Sequence, residues 1–315
     1  MCRLSDRFRS NYSTRPGLYP LNNATEDSPV YVTANYRYSL NCLQAGLNGL
    51  PGWVLVLDTQ GINVWCAAGE GTFGTDELVK RMESTGLKDQ VTTRTLIVPQ
   101  LGATGVSAHE VRKRTGFRVK FGPIRSDDIP AFVQNNFEAT PAMRTVTFTL
   151  AERIVLIPME FFPAAKRLLL ILVIAAAVLG LTLQGILFNR MLALAGPFVL
   201  PMATALFCGT ILHPILLPFF PVRSFALQGF ILGLLAALPF AFLPPAQPGL
   251  AGQLFRIIVL IGIPALSSYL ALNFTGCTPF ASRSGVKKEL KAAWPLYLVA
   301  TGILIISLLA YWFVS

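Results

Sequence analysis

From Leu168 to its end the chain carries one acidic residue, Glu289, against seven Lys and Arg, whereas the residues up to Arg167 carry 15 acids and 19 bases. A stretch so poor in charge cannot present a soluble surface, because soluble domains average about 25% charged residues. Five apolar runs fill it: Leu168–Phe188, Met191–Leu212, Phe225–Leu243, Leu254–Leu272 and Trp294–Val314, each of 19 to 22 residues. At about 1.5 Å per residue, each run reaches across a hydrocarbon core of about 30 Å. Pro197, Pro201 and Pro264 interrupt the second and fourth runs. Lipid tolerates such breakers only where neighbouring helices satisfy the freed carbonyls. The sequence thus predicts an all-α bundle of five transmembrane helices over 161–315, preceded by a soluble domain over 1–160.

Basic residues orient the bundle. Lys166, Arg167, Arg223, Arg283, Lys287, Lys288 and Lys291 fall on one side, and Arg190 and Arg256 on the other. The N-terminal domain is therefore expected in the cytoplasm and the C-terminus outside, in a multi-pass arrangement in the cell (inner) membrane. The first thirty residues contain no apolar h-region, so no signal peptide is expected. Much of the net charge of +10 belongs to the membrane half, and the soluble half shows no basic–aromatic stripe. Both features argue against a nucleic-acid partner. The apolar runs hold no acid, and His213 lies at a run end beside Pro214. A coupling-ion path normally needs buried ionisable groups, so the bundle reads as an anchor and docking surface in the lipid bilayer.

In the soluble half, short apolar runs at Val30–Thr33, Trp53–Asp58, Thr95–Val98 and Arg118–Phe121 alternate with helical patterns at Tyr36–Gly46, Thr75–Ser84, Val106–Thr115 and Asp127–Asn135. This alternation predicts an α/β fold with a doubly wound parallel sheet. Thr75 is the expected N-cap of its helix, followed by Asp76 and Glu77 in the first turn. Ligands in open parallel sheets lie beyond the carboxyl ends of the strands. The segments of interest are then Thr33–Tyr36, Thr59–Thr75, Pro99–Gly105 and Gly122–Arg125.

The second of these contains Gly61-Ile-Asn-Val-Trp-Cys-Ala-Ala-Gly-Glu-Gly-Thr-Phe-Gly-Thr75. It places one thiol, Cys66, at a strand-to-helix passage. Ala67, Ala68 and Gly69 after it would let a large flat ligand approach the backbone, and a helical turn near Trp65 would favour the thiolate. Trp65 reads either as a rigid lid or as core. A lone cysteine is more often a small buried hydrophobe than a ligand, and on residue chemistry alone both readings stay open. The five cysteines, Cys2, Cys42, Cys66, Cys208 and Cys277, form no CxxC pair, so no zinc ribbon or iron–sulfur cluster is expected from this chain alone. The only histidines, His109 and His213, have no recognisable catalytic partner, no Asp-x-His-x-x-Gly run occurs, and the glycines do not space as GxGxxG.

At Asn63-Val-Trp-Cys-Ala-Ala-Gly69 the sequence resembles the corrinoid-binding cap helix of the mercury-methylation family HgcA, a membrane-anchored relative of the corrinoid iron–sulfur proteins of the CO dehydrogenase–acetyl-CoA synthase pathway. Val32-Thr-Ala-Asn-Tyr36, Leu57-Asp-Thr59, Gly71-Thr-Phe-Gly-Thr-Asp-Glu-Leu78, Pro99-Gln-Leu-Gly102, His109-Glu-Val111 and Gly116-Phe-Arg118 fit the same pattern. So do Asn273-Phe-Thr-Gly276 and Thr278-Pro-Phe280, in the last cytoplasmic loop. Two departures are Glu70, where the family usually has Lys, and Cys277, where it commonly has Ser.

The resemblance implies a cobamide (a cobalamin-type corrinoid with cobalt) whose lower axial ligand is the Cys66 thiolate. It implies cofactor contacts from Asn63, Val64, Trp65, Ala67, Ala68, Gly69 and Thr72. Thr33, Asn35, Thr59, Gln100, Gly102 and Gly105 sit where a ligand should lie and are further candidate contacts, although strand-end capping and turn chemistry account for them equally well. The implied activity is a corrinoid-dependent methyltransferase that carries a methyl group on cobalt and delivers it to Hg(II). Hg(II) is an electrophile and takes methyl as a carbanion equivalent, and a soft thiolate donor suits that departure better than imidazole. A methyl donor such as methyl-tetrahydrofolate and an external ferredoxin-like [4Fe-4S] partner, HgcB in the family, are also implied. The alternatives are a corrinoid methyl carrier in one-carbon or acetyl-CoA-type metabolism, and a non-catalytic membrane receptor.

Overall fold

Strands buried on both faces must be apolar at every position, and β2 (Val30–Ala34) and β3 (Gly52–Leu57) meet that demand almost throughout. In the computed structural model, which describes residues 11–183, 185–243 and 248–315 apart from the side chains of Cys277 and Arg283, they form the centre of a five-stranded sheet. Cys2 lies outside the described residues, as does the Cys277 side chain. β4 (Thr95–Pro99) and β5 (Arg118–Gly122) extend the sheet in parallel, and β1 (Gly17–Leu21) pairs antiparallel with β3 at the opposite edge. The edge strand was not foreseen. It carries Pro20, which only an edge or irregular position accepts, and its residues are half-exposed.

The order β1-β3-β2-β4-β5 makes β2 the first parallel strand, with its successors on either side of it. The side chains divide between two cores. Val30, Val32, Leu55, Leu57, Leu96 and Val98 face one, covered by α2 (Val64–Glu70), α3 (Thr75–Ser84) and α5 (Ala108–Thr115). Tyr31, Val54, Val56 and Ile97 face the other, covered by α1 (Arg37–Leu47) and α6 (Ile129–Gln134). A short α4 (Leu87–Gln90) leads into β4. The unit is thus doubly wound, as expected. Thr75 is not the N-cap of α3; Gly74 takes that place. The Thr75 hydroxyl instead accepts the Ser107 N–H at 2.8 Å and ties the start of α3 to the start of α5.

The chain divides at Thr147/Phe148 into two compact units. In the second, five helices are long and apolar enough to cross a membrane: Leu150–Leu179, Phe188–Phe219, Phe225–Phe242, Gly249–Gly276 and Ser284–Val314. The first helix begins well before its apolar run, at a Thr149–Glu152 capping box, and ends at Gly180; Leu181–Thr182 and Gly185–Ile186 follow as a small hairpin.

The second span is broken into α, 3₁₀ and π turns around Pro197, Pro201, Pro214 and Pro218. Pro218 has no N–H to give the Pro214 carbonyl. Arg153 of the first span supplies the missing donor, with Nη1 at 2.9 Å from Pro214 O and 2.7 Å from Ile215 O. His213, fully buried, is held through Nε2 at 2.8 Å from Gln228 Oε1. The third and fourth spans meet through Gly229, where a Cβ would lie 2.6 Å from Ser267 O. Small residues permit that closeness, which drives helix association where lipid offers no hydrophobic gain.

Candidate functional site

The pairing of β2 with β4 is confined to Val30↔Leu96 and Tyr31↔Ile97, whereas β2 stays paired with β3 as far as Ala34↔Leu57. Beyond Tyr31 the two strands part, at the point where the chain reverses its winding. A crevice at such a switch point is where open α/β sheets bind ligands. Here it is a cleft of about 350 Å³. All four segments singled out from the sequence contribute to it: Thr33 near the end of β2 and Tyr36 after it, Trp65 after β3, Leu101 after β4 and Pro123 after β5. Among the described residues, no charged side chain lines it.

The turn from β3 into α2 is held by a side chain from the neighbouring strand end. Asn35, 6% exposed, accepts through Oδ1 from Thr59 N (3.0 Å) and Gly61 N (2.9 Å), and the Thr59 hydroxyl lies 2.8 Å from the same oxygen. Between them Gln60 adopts φ 57°, a left-handed conformation disfavoured for a non-glycine residue, and its N–H is taken by Asp58 Oδ1 at 3.1 Å. Glu77 Oε1 in turn accepts Asp58 N at 2.8 Å and is bridged to Arg81 at 2.6 Å. Asn35 and Thr59 therefore spend these hydrogen bonds on the loop that presents α2. Asn35→Ala strands two backbone donors and is expected to cost about 2 kcal/mol or more, seen as a lowered melting temperature and faster proteolysis between 58 and 64. An unchanged melt would mean that the turn does not depend on this side chain.

α2 itself starts at Asn63, whose side-chain oxygen accepts the Cys66 N–H at 2.9 Å. Cys66 is half-buried in the first turn, directly after Asn63, Val64 and Trp65, which line the cleft. Trp65 is 38% exposed and stands at the cleft rather than in the core. Ala67 and Ala68 are buried in the first core, so their small size seats the helix on the sheet. Gly69 and Glu70 are exposed at its far end, and Gly71 closes it at φ 90°. The chain then folds back: Phe73, fully buried, donates its N–H to Ala67 O at 3.1 Å, and the Thr72 hydroxyl lies 3.4 Å from the same carbonyl.

The loop after β4 closes under this return. A Cβ on Gly105 would sit 2.1 Å from Phe73 O and 3.2 Å from the Ala68 Cα, and one on Gly102 would sit 2.5 Å from the Phe73 ring. Both glycines are sites of close backbone packing beneath α2. Gln100, half-buried, keeps a buried Oε1 with no partner among the described residues. His109 is exposed on α5.

The sequence did not mark Tyr31 or Asp58 as site residues, and it read Glu77 only as a first-turn acid of its helix. Asp58 lay within a quoted motif, but its part in the turn depends on Asn35 from another strand. Tyr31, 2% exposed, lines the cleft with its hydroxyl buried and unpaired among the described residues, and burial pushes its pKa up to about 12.

Fold and site together define an open α/β unit with a ligand cleft at its switch point, joined to a unit of five membrane-length helices. Residues 6–133 match the family described as CO dehydrogenase/acetyl-CoA synthase delta subunit. The chain is 30% identical over 131 residues to the acetyl-CoA decarbonylase/synthase complex subunit gamma of Archaeoglobus fulgidus, covering 41% of this chain and 27% of the relative. It is likewise 30% identical over 132 residues to the subunit of the same name from Methanocaldococcus jannaschii, with the same two shares, 41% and 27%. Against subunit gamma 2 of Methanosarcina thermophila it is 32% identical over 124 residues, 38% of this chain and 26% of the relative. The matched segment thus spans about a quarter of these relatives' length, 26–27%, and the family match takes in the α/β unit and none of the five helices.

Proposed function

We propose that the chain is a membrane-anchored, corrinoid-dependent methyltransferase that forms methylmercury, in which the Cys66 sulfur would hold the cobalt. The observation that carries this reading is the placement of Cys66 on a short, separately capped helix whose first residues line the switch-point cleft. The residues present fit such a group. A soft thiol beside an uncharged cleft suits cobalt in a neutral-walled site, and Asn63, Val64 and Trp65, directly before that thiol, line the cleft. When bound, a corrinoid supplies a cobalt centre that takes up a methyl group and hands it on.

The chain's own residues divide the work of holding it. Cys66 provides the sulfur donor; Asn63 fixes the first turn that carries it; Val64 and Trp65 form cleft wall. Ala67, Ala68 and Gly105 keep the helix tight on the sheet, and Asn35 with Thr59 sets the angle at which it leaves β3. Thr33 borders the cleft from the β2 side. Glu70, Gly69 and Thr72 lie at the end of the helix away from its cap. A ferredoxin-like partner of the HgcB kind, a methyl donor such as methyl-tetrahydrofolate and Hg(II) complete the reading. Methylmercury production by a methylation-deficient deletion strain complemented with this gene tests it, and absence of product with the protein present in the membrane would overturn it.

A second reading, a corrinoid methyl carrier in acetyl-CoA-type metabolism, draws on the names of the relatives above. It predicts methyl exchange with an acetyl-CoA-forming complex and no methylmercury. For the membrane unit we propose the N-terminal unit on the cytoplasmic face, from the seven-to-two bias of Lys and Arg in the loops. Tags at the two ends should then behave oppositely: protease added to intact spheroplasts removes a C-terminal tag and spares an N-terminal one. The reverse pattern would invert the topology.

A further inference from the structure

The membrane unit encloses a space that its own helices leave unfilled. The fifth span packs on the fourth and the first on the second, and a cavity of about 530 Å³ takes its walls from all four. Among the described residues no charged side chain lines it. The fifth span contributes Trp294, Leu298, Thr301, Ile305 and Leu308, a single helical stripe. Of these, Trp294, Leu298 and Ile305 are 51%, 57% and 55% exposed, so the cavity is a groove that opens sideways along this helix. For a helix that crosses a membrane, sideways means into hydrocarbon, and an apolar void stays dry and takes an apolar guest.

The width of the groove selects among guests. The stripe rises about 21 Å from Trp294 to Leu308 at about 1.5 Å per residue. Spread over that length, the cavity averages about 25 Å² in cross-section. A helix of another chain or of a second copy is about 10 Å across with its side chains and needs about 80 Å². A single hydrocarbon chain fits where a helix does not. One end of the groove also suits a headgroup. There the Tyr269 ring stands edge-on to Tyr297 at 5.8 Å, and the Tyr297 hydroxyl lies 2.8 Å from Ser268 Oγ, beside Trp294. Aromatic rings of this kind gather at the level of lipid headgroups. One and two turns nearer the start of the helix, the same stripe continues as Lys291 and Lys287, both exposed. Glu289, the acid between them, is turned to the third span, where its Oε1 accepts from Ser224 Oγ at 2.7 Å and from Ala226 N at 2.6 Å.

From the width of the groove and the two cations at its end, we infer that the membrane unit holds one anionic phospholipid, with an acyl chain in the groove and its phosphate on Lys287 and Lys291. The bound chain completes the packing between the first and fifth spans. Native mass spectrometry of the full-length protein released from detergent micelles tests this, with dioleoylphosphatidylglycerol and dioleoylphosphatidylcholine titrated separately. Wild type should retain one phosphatidylglycerol and bind phosphatidylcholine about tenfold or more weakly, the effect of two lysines beside an anionic headgroup. Lys287→Gln combined with Lys291→Gln should bring the two lipids level. Gly262→Leu should lose both: Gly262 lines the groove, and a Cβ there meets only the Leu304 methyls, at 3.5 and 3.9 Å, so the backbone accepts a side chain that then occupies the space. Thr301→Phe narrows the exposed wall and covers the case in which Gly262→Leu misfolds. Gly302→Leu, outside the groove and with open space around it, should bind as wild type does. Retention of phosphatidylglycerol by both groove variants, or equal retention of the two lipids by wild type, overturns the inference. So does a lipid-free dimer that Gly262→Leu breaks, which would make a second copy the occupant. None of these readouts involves a corrinoid or mercury, so failure here leaves the proposed function standing.

Discussion

On the proposed reading, Cys66→Ala is expected to leave the α/β unit folded and to reduce methylmercury formation by at least a hundredfold. Removing even the outer partners of a metal ligand costs about 10–100-fold, and on the proposed reading the ligand itself is removed. The fold survives for a specific reason. The cap of α2 uses the backbone N–H of Cys66, donated to Asn63 Oδ1 at 2.9 Å, so it does not depend on the side chain. Alanine is also the best helix former, and truncation of a half-buried thiol away from special features changes stability by about 0.5–1 kcal/mol. The absorption spectrum of the cobamide-loaded protein gives the second readout, because a cobalt–sulfur bond and a cobalt–water bond absorb differently. A variant that kept both the wild-type spectrum and the activity would end the case for sulfur ligation.

Gly105→Ala is expected to be among the most damaging small substitutions in the α/β unit. Its added carbon would meet Phe73 O at 2.1 Å and the backbone of Ala68 at 3.2 Å, and neither is the end of a flexible side chain. Overpacking against backbone costs about 3 kcal/mol or more. Relief requires lifting the return from α2 to α3 off the β4 loop, so on the proposed reading the variant loses corrinoid affinity along with stability. Gly116→Ala is the control: Gly116 has φ 79° with open space around its Cα, so it carries only the backbone penalty of about 1 kcal/mol. Thermal melting of the two variants side by side separates the effects. If Gly105→Ala melts no lower than Gly116→Ala, α2 does not rest on that loop.

The strands and loops legible in the sequence were those governed by local rules. Continuous apolar character exposed the central strands, and the rule that ligands lie beyond carboxyl ends found all four cleft-lining segments. β1 was hidden because its sequence, GLYPL, has neither alternation nor β-branched content and becomes a strand only by pairing with β3. The start of the first long helix was hidden in a similar way. Glu152, Arg153 and Glu160 interrupt its apolar pattern, and Arg153 is accommodated by the Pro214 carbonyl that Pro218 leaves free and by its neighbour, Ile215 O.

Small residues after Cys66 were legible as a requirement for close approach, but not what approaches. Ala67 and Ala68 face the sheet, and Gly105 faces the backbone of Ala68. The reason is that steric demand is visible in one segment, whereas the neighbour that imposes it comes from a loop about forty residues away, 105 against 68. By itself the sequence determined the class of fold, the five apolar spans and the thiol worth watching, because hydrophobic period, span length and residue chemistry are properties of contiguous chain. Strand order, the parting of β2 from β4 and the burial of the Tyr31 hydroxyl were decided only by the tertiary structure. Each is a relation between distant segments, set by which faces must be buried together.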